Sequence, residues 1–364
     1  MTRAARSLPL LVQALREPAG LARAGADRWE LLVRQARRAG LLPRVALRIS
    51  EVAGPVVPAA AKAHLDSAVL LAQAQRDEVL RELAHIRTAL SPLQVEPVLL
   101  KGAAYIAAGL PPARGRLFTD IDLLLPKPLL PQAEAQLMLH GWATTHHTPY
   151  DQRYYRQWMH ELPPLRHVQR QSVLDLHHAI LPETARLQPD PAKLLGAAIA
   201  APGFPGWRTL APCDLLLHSV SHLIHNDDHT HALRDLTDID LLLRSQASRT
   251  GFWAELQGRA VELQLARPLY YVLRQCVALL DTPVPPAALE QAAALGAPAR
   301  WRATMMDALW RRALLGVHPT MGPPGTAAAR GLLYVRAHWL RMPPLLLARH
   351  LTIKAFRLHE KPLH

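Results

Sequence analysis

The spacing of apolar residues changes twice along this chain, and those changes limit the folds it can adopt. Up to about residue 91, apolar residues recur at helical intervals, most clearly from Pro58 to Leu90. Short apolar runs then alternate with helical patterns, before helical spacing returns near residue 191. We therefore predict an α+β protein with a small mixed-sheet core flanked by helical regions. The predicted regions are an N-terminal helical region (1–91), the core (92–190) and a C-terminal helical region (191–364).

Composition excludes several protein classes. Half of the residues are apolar and a fifth are charged, which is typical of a globular chain. The two cysteines, Cys213 and Cys276, are too few for a disulfide framework, and they favour a reducing compartment. The longest apolar run is interrupted by Lys101, and an N-terminal apolar stretch is interrupted by Gln13 and Arg16. We therefore expect a cytoplasmic protein without a signal peptide or membrane span.

Positive charge is concentrated at the two ends of the chain. Residues 1–50 contain ten arginines and three acids, and residues 330–364 contain seven basic residues and one acid. Such segments attract nucleic acid or anionic membrane surfaces. The last segment also places Leu347, Leu351 and Phe356 beside basic residues, so peripheral membrane docking and packing onto its own domain both stay open.

The segment FTDIDLLL, residues 118–125, reads as an apolar strand that carries two acids. The two-residue period of a strand places Asp120 and Asp122 on one face, while Ile121 and Leu123 point into the core. Neighbouring carboxylates at a strand end suit Mg²⁺ or Mn²⁺. Because phosphoryl and nucleotidyl transfer need such ions, the pattern predicts a metal site for chemistry on a nucleoside triphosphate.

Basic residues precede these acids, beginning where the strand VEPVLL gives way to the helix GAAYIAAG. The turn at Lys101 and Gly102 would expose amides at a helix N-terminus and let the backbone approach phosphate. Lys101 adds a positive charge, and Arg114 and Arg116 can each hold phosphate through two hydrogen bonds. We expect these four residues to contact the triphosphate.

A later segment, SVLDLHHAI, offers a third carboxylate. It follows a predicted hairpin turn near Arg170 and Gln171, and strand alternation places Asp175 and His177 on one face. Asp175 would complete the metal site or act as base for an incoming hydroxyl. His177 is expected among the nucleotide-binding residues.

Together these segments resemble the uncharacterised nucleotidyltransferase family of the DNA polymerase β-like superfamily, over about residues 97–181. The flanking helical regions are similar as well. The resemblance implies a nucleotidyltransferase core that transfers a nucleoside monophosphate, with pyrophosphate leaving. It assigns Asp120 and Asp122 to the metal and Asp175 to the third carboxylate. The superfamily usually has Gly-Ser or Gly-Gly at the first turn, where this chain has Lys101 and Gly102, and Lys101 could take over the triphosphate contact.

The heptapeptide TDIDLLL occurs a second time, at residues 237–243. Here the surrounding apolar residues keep helical spacing, which predicts a helix. Residues two apart on a helix point in nearly opposite directions, so Asp238 and Asp240 cannot share one ion. We predict that this copy lies on a helix surface without a metal role.

Three histidines share one face of a predicted helix. His218, His222 and His225 are spaced by four and then three residues, which is compatible with zinc binding. No Glu lies between the first two where a zinc hydrolase would have one, and no cysteine joins them. A zinc site, a wall of the nucleotide pocket and an ordinary helix surface therefore all stay open.

A metal-dependent nucleotidyltransferase is the function that these patterns favour. Its cofactor would be Mg²⁺ or Mn²⁺, its donor a nucleoside triphosphate, and its acceptor an unknown hydroxyl or phosphate. The alternative is a catalytically idle relative that binds nucleotide or a partner. The three carboxylates favour the enzyme, because a degenerate member would be expected to lose one of them. We expect at most a weak association of the basic termini with membranes or nucleic acid.

Overall fold

The computed structural model describes residues 8–52, 56–145, 148–343 and 347, and it has a small mixed sheet set among many helices. The predicted α+β fold class is thereby confirmed. The predicted amphipathic segment after Pro344 lies outside the described residues except for Leu347. No helix in the described part of the chain is long and apolar enough to cross a bilayer.

Helices form the whole N-terminal region that the structure describes. The longest, α4, begins directly after Pro58, as the sequence predicts, and it buries Leu65, Leu83 and Ile86. This apolar face packs against the two preceding helices. The α-helices of this region are α1 (Leu10–Arg16), α2 (Ala26–Arg38), α3 (Leu42–Ser50) and α4 (Ala59–Leu90).

The central sheet contains seven short strands among the described residues, in the order β3-β4-β5-β2-β1-β7-β6. The strands are β1 (Val98–Leu99), β2 (Ile121–Leu124), β3 (Trp142–Thr144), β4 (Leu165–His167), β5 (Val173–His177), β6 (Ile199–Ala200) and β7 (Arg208–Thr209). The helices between them are α5 (Lys101–Ala107), α6 (Leu130–Leu139), α7 (Pro149–Trp158) and α8 (Pro191–Ala197). Strands β6 and β7 extend the sheet past residue 190, where the core was predicted to end.

Strand β2 lies at the centre of the sheet. It runs parallel to β5 and antiparallel to β1, and its apolar side chains are buried. The hairpin of β4 and β5 turns where the sequence predicts, and Gln171 adopts a left-handed φ of 61° there. The pairing sets the two acid-bearing strands side by side, although the chain between them is about fifty residues long.

The C-terminal region is again helical. Its first helix, α9, contacts α5, and Tyr105 Oη lies 2.8 Å from Ser219 Oγ across that contact. The elements are α9 (Pro212–His225), α10 (Ala232–Gln246), α11 (Phe252–Glu262), α12 (Ala266–Gln275), a π-helix (Cys276–Leu280), α13 (Pro286–Gly296), α14 (Arg300–Leu315) and α15 (Thr326–Arg341).

The second TDIDLLL copy is helical, as predicted, but the predicted surface location is wrong. Asp238 and Asp240, on α10, are only 2% and 9% exposed. Asp240 accepts hydrogen bonds from Arg244 and from Thr282 Oγ1, the latter at 2.6 Å. Charged residues at helical spacing normally face water, and burial of Asp238 depends on partners far away in the sequence.

Those partners form a buried ion cluster that joins all three regions. Arg44, on α3, places Nη2 2.7 Å from Asp238 Oδ1 and donates from Nη1 to Thr237 Oγ1 at 2.6 Å. Arg116, in the loop before β2, pairs with the other oxygen of Asp238. The same loop passes close to α3 at Gly115, where a Cβ would lie 2.9 Å from the backbone of Arg44. The loop that leads into β2 is thus anchored to both helical regions.

Candidate active site

Two carboxylates face each other across the pair of parallel strands at the centre of the sheet. Asp122 on β2 is directly opposite Asp175 on β5 in the strand register. Asp122 is 2% exposed and Asp175 is half-buried. Side chains in register on neighbouring strands point to the same face of a sheet, so the two acids meet there. The ligand atoms of Asp122, Asp175 and His177 lie within 4.8 Å of one another, which confirms that Asp175 and His177 share a face.

Asp120 lies one residue before β2 and is half-buried. It accepts a hydrogen bond of 3.0 Å from Thr119 and lines a cavity of about 220 Å³ that Glu78 also lines. Among the described residues, Asp120 is not in the group whose ligand atoms lie within 4.8 Å of one another. Its charge nevertheless acts on Lys101 and Asp175, so it belongs to the same electrostatic environment.

Lys101 reaches the site from the start of α5. Its Nζ donates to Asp122 Oδ1 at 2.8 Å, and the Asp122 carboxylate raises the pKa of this ammonium against the opposing effect of burial. Its backbone has a φ of 42°, in the left-handed region that residues with a side chain rarely adopt. Such conformations persist where the surrounding structure holds them, often at functional sites.

His177 links Asp122 to Glu161, an acid that the sequence did not predict as a site residue. Its Nε2 lies 3.0 Å from Asp122 Oδ1 and its Nδ1 lies 3.3 Å from Glu161 Oε2. Glu161 forms an isolated antiparallel bridge with His177, and Leu162 donates its N–H to Leu176 O at 2.9 Å. Glu161 lies in an irregular segment, HELPP, without a strand or helix period, so no sequence pattern signals its position.

The paired acids have opposite electrostatic environments. Burial, reinforced by the Asp122 and Glu161 carboxylates, raises the pKa of Asp175 well above its usual value. Burial alone would also raise the pKa of Asp122, but Lys101 and His177 together hold it well below the usual value. Asp122 is therefore held in its ionised form, whereas the carboxylates of Asp122 and Glu161 oppose ionisation of Asp175.

This imbalance predicts a pH-dependent effect of Asp175→Asn on stability in a chelating buffer. Asp175 has a raised pKa in the folded protein and an ordinary value of about 3.9 when unfolded. Its contribution to stability is full below about pH 3.9 and is lost as the pH rises toward the folded-state pKa. Asn cannot ionise, and across the described residues Asp175 Oδ1 has no hydrogen-bond partner to lose. The variant should therefore gain stability over the wild type as the pH rises.

Denaturant unfolding at a series of pH values measures this difference in the free energy of unfolding. The matched control is Asp66→Asn, on the exposed surface of α4, which should show no such trend. A difference between Asp175→Asn and wild type that stays flat or shrinks with rising pH would contradict the electrostatic environment described for Asp175.

The residues predicted to hold phosphate lie in different surroundings. Gly102 is buried, and a Cβ there would lie 2.8 Å from Phe118 and 3.4 Å from Arg116 Nε, so packing alone requires a glycine. Arg116 is 8% exposed and paired with Asp238, but its Nε has no hydrogen-bond partner among the residues that the structure describes. Arg114 is exposed and pairs with Glu51 at 3.2 Å. Their triphosphate contacts stay predictions.

The three-histidine face on α9 is largely buried, so the surface interpretation is wrong. His218 and His225 are 3% and 4% exposed, and burial lowers the pKa of both. His222 Nδ1 lies 3.6 Å from Asp235 Oδ2, and His225 Nδ1 lies 3.0 Å from Ser221 O. Across the described ranges, none of the three joins a group with metal-ligand spacing. The charges of Lys101 and Asp122 act on His218, which places it toward the site.

Comparison with known proteins gives one family match. A family model described as an uncharacterised nucleotidyltransferase matches residues 25–281, which is most of the chain and includes all the site residues described above. Neither the curated proteins nor the solved structures give a match. The chain therefore belongs to the uncharacterised nucleotidyltransferase family.

Proposed function

We propose that the protein transfers a nucleoside monophosphate from a nucleoside triphosphate to a hydroxyl or phosphate acceptor, with Mg²⁺ or Mn²⁺ bound by Asp120, Asp122 and Asp175. The observation that carries this proposal is the register of the parallel strands, which sets Asp122 directly opposite Asp175. Membership of a nucleotidyltransferase family supports the class of reaction.

The residues fit a divalent cation. Asp175 Oδ1 is buried and has no hydrogen-bond partner in the described part of the chain, and such a buried carboxylate oxygen is costly unless a cation or donor reaches it. Asp122 lies opposite and is held ionised. Hard carboxylate oxygens are the ligands that Mg²⁺ and Mn²⁺ prefer. When bound, the ion would neutralise charge on the triphosphate and polarise the phosphorus that is attacked.

Two residues would orient Asp122. Lys101 and His177 both contact Asp122 Oδ1, which fixes the direction of its carboxylate. The other oxygen, Oδ2, faces neither of these two donors, so it is the one that we assign to the cation. A fixed carboxylate costs little reorganisation when substrate arrives, which is the property that favours electrostatic catalysis.

Asp175 has one of two alternative roles in this proposal, and the sequence leaves both of them open. It is a ligand for the cation, or it takes the proton of the incoming acceptor hydroxyl at Oδ1. A general base works best when its pKa lies near the working pH, and burial with like charge moves the pKa of Asp175 upward in that direction.

Lys101 is proposed as the main cation for the triphosphate, because its ammonium already lies at Asp122. We expect Lys101→Met to weaken triphosphate affinity by roughly ten- to a hundredfold, since a charged hydrogen bond to phosphate is worth about 1.5–3 kcal/mol. Methionine keeps most of the side-chain length and removes the charge. Calorimetry at two salt concentrations measures the affinity.

Lys127→Met is the matched control, because Lys127 is half-exposed and pairs with Glu183 away from Asp122. It should bind triphosphate like the wild type. Unchanged affinity of Lys101→Met at low salt would mean that Lys101 only pairs with Asp122, and the phosphate role would pass to Arg114 and Arg116.

Transfer of an α-phosphorus label tests the reaction itself. The protein is incubated with Mg²⁺, cell extract fractions as acceptors, and a triphosphate labelled at the α- or γ-phosphorus. We expect the α-label in a product and the γ-label in pyrophosphate. A γ-label in the product would indicate phosphoryl transfer instead. Nucleotide binding without either product would favour the idle relative.

We place this activity in the cytoplasm, where nucleoside triphosphates and Mg²⁺ are available. Both cysteines are buried and unpaired, which agrees with a reducing compartment. Any weak association of the basic terminal segments with anionic membranes or nucleic acid should fade as salt is raised.

A further inference from the structure

A second group of ligating side chains lies beside the carboxylate pair. His160, Glu161 and His177 each offer a ligand atom, and these atoms lie within 4.8 Å of one another. His177 Nδ1 is 3.3 Å from Glu161 Oε2, and His160 Nε2 is 4.0 Å from the same oxygen. Two ligand atoms held about 2.1 Å from a tetrahedral ion lie about 3.4 Å apart, so the cluster is near the required size.

The orientation of His177 points to a ligand for its Nδ1. The side chain is 2% exposed, and Nδ1 faces Glu161 but has no hydrogen-bond partner among the described residues. Its Nε2 lies 3.0 Å from Asp122 Oδ1. A neutral imidazole that donates Nε2–H to Asp122 keeps a lone pair on Nδ1. Donation of one ring N–H to a carboxylate while the other nitrogen binds a metal is the usual arrangement of metal-ligating histidines.

His160 supplies the second nitrogen ligand and leaves one side of the cluster open to solvent. Its Nε2 faces Glu161, its Nδ1 is buried without a hydrogen-bond partner within the described ranges, and the side chain as a whole is 19% exposed. Its ring centroid lies 5.4 Å from that of His177. One side of the cluster therefore borders solvent, which leaves room for a water or a substrate oxygen as a further ligand.

We infer that His160, Glu161 and His177 form a second cation site, for a transition metal such as Zn²⁺, Mn²⁺ or Co²⁺. Two imidazole nitrogens and one carboxylate suit these ions, whereas Mg²⁺ prefers oxygen ligands alone. The site differs from the proposed Mg²⁺ site in its ligand chemistry, and it can exist whether or not the protein transfers nucleotides.

The two cation sites are coupled through Asp122. Asp122 contacts His177 through Oδ1, and it lies directly opposite Asp175 in the strand register. Loss of a carboxylate that orients a ligating histidine typically lowers metal affinity about 10–100-fold. Asp122→Asn should therefore weaken the second site although it supplies no ligand to it.

Calorimetric titration of Zn²⁺ into the nucleotide-free full-length protein, with excess Mg²⁺ present to fill oxygen-only sites, tests this inference. The wild type should bind one equivalent of Zn²⁺ tightly. His160→Asn and Glu161→Gln should each lower the Zn²⁺ affinity by more than the about 10–100-fold expected for Asp122→Asn. The matched controls are His64→Asn and Glu290→Gln, which are exposed residues outside the cluster and should bind Zn²⁺ like the wild type.

Thermal unfolding in a chelating buffer establishes that each variant is folded. If His160→Asn does not fold, Glu161→Asp decides, because it keeps the charge but shortens the reach and should still lose Zn²⁺ affinity. Wild-type protein that binds no Zn²⁺ in excess Mg²⁺ would overturn the inference. Cluster variants that bind Zn²⁺ as tightly as the control variants would overturn it as well.

Discussion

Asp120→Asn and Asp122→Asn should each lower Mg²⁺-dependent nucleotidyl transfer by about 10³-fold or more, which corresponds to about 4 kcal/mol of transition-state stabilisation. An amide oxygen carries no net charge and binds a hard divalent cation weakly compared with a carboxylate. The expected loss is in turnover of the triphosphate, measured as α-label transferred per unit time. The matched control is Asp66→Asn, because Asp66 pairs with Lys62 on the exposed face of α4, and this variant should keep wild-type turnover.

The two variants should differ in stability. Asp122 is the partner of Lys101 and of buried His177, so its removal leaves the Lys101 ammonium without its carboxylate and His177 Nε2 without its charged acceptor. Breaking a buried pair in this way typically costs about 3–5 kcal/mol. Asp120 is half-buried and accepts a local hydrogen bond from its neighbour Thr119, so Asp120→Asn should fold like the wild type. Wild-type turnover in Asp120→Asn would remove it from the metal site.

Asp238→Asn should lower the free energy of unfolding by about 3–5 kcal/mol. Asp238 is 2% exposed and pairs with both Arg44 and Arg116, whose side chains are themselves buried. Burial lowers the pKa of each guanidinium to about 10, which reflects the cost of keeping these charges away from water. Without Asp238 both would lie in the interior without this counter-charge. Denaturant unfolding measures the loss.

Asp281→Asn is the control for this prediction, because its pairing with Arg16 is exposed and should be worth less than about 1 kcal/mol. At denaturant concentrations where it is still folded, Asp238→Asn should keep metal-dependent triphosphate binding nearly intact. Asp240→Asn should do the same. If Asp238→Asn were as stable as Asp281→Asn, the buried cluster would not hold the three regions together. If Asp238→Asn abolished metal binding while Asp122→Asn did not, the second TDIDLLL copy and not the first would bind the metal.

Periodicity predicted the elements that carry the carboxylates. The helical spacing of α4 and the alternation of FTDIDLLL and SVLDLHHAI each reflect which side chains face the core. Such a pattern can be recognised from neighbouring residues in the sequence. The helical spacing of the apolar residues around the second TDIDLLL copy separated it from the first, and the second copy lies in a helix whereas IDLL of the first forms a strand. The direct pairing of Asp122 with Asp175 depends on the register of β2 and β5, which no local sequence pattern specifies.

Features that depend on distant partners were not predictable. Glu161 reaches the site through a single bridge to His177, outside any regular element. The burial of Asp238 depends on Arg44, which comes nearly two hundred residues earlier in the chain. Strands β6 and β7 have two residues each, too few to show an alternation. In each case the determining interaction is a long-range pairing of polar groups, which composition and spacing do not record.

Mg²⁺-dependent stabilisation by nucleoside triphosphate tests whether the carboxylates bind a cation together with substrate. Wild-type protein and Asp120→Asn are heated with each of four nucleoside triphosphates, in Mg²⁺ or in chelator. At a triphosphate concentration about a hundredfold above its dissociation constant, the wild type should gain about 2.7 kcal/mol of stability in Mg²⁺. It should gain far less in chelator, and Asp120→Asn should gain little in either. Equal stabilisation of both proteins, or stabilisation that persists in chelator, would contradict a metal-dependent nucleotide site at Asp120, Asp122 and Asp175.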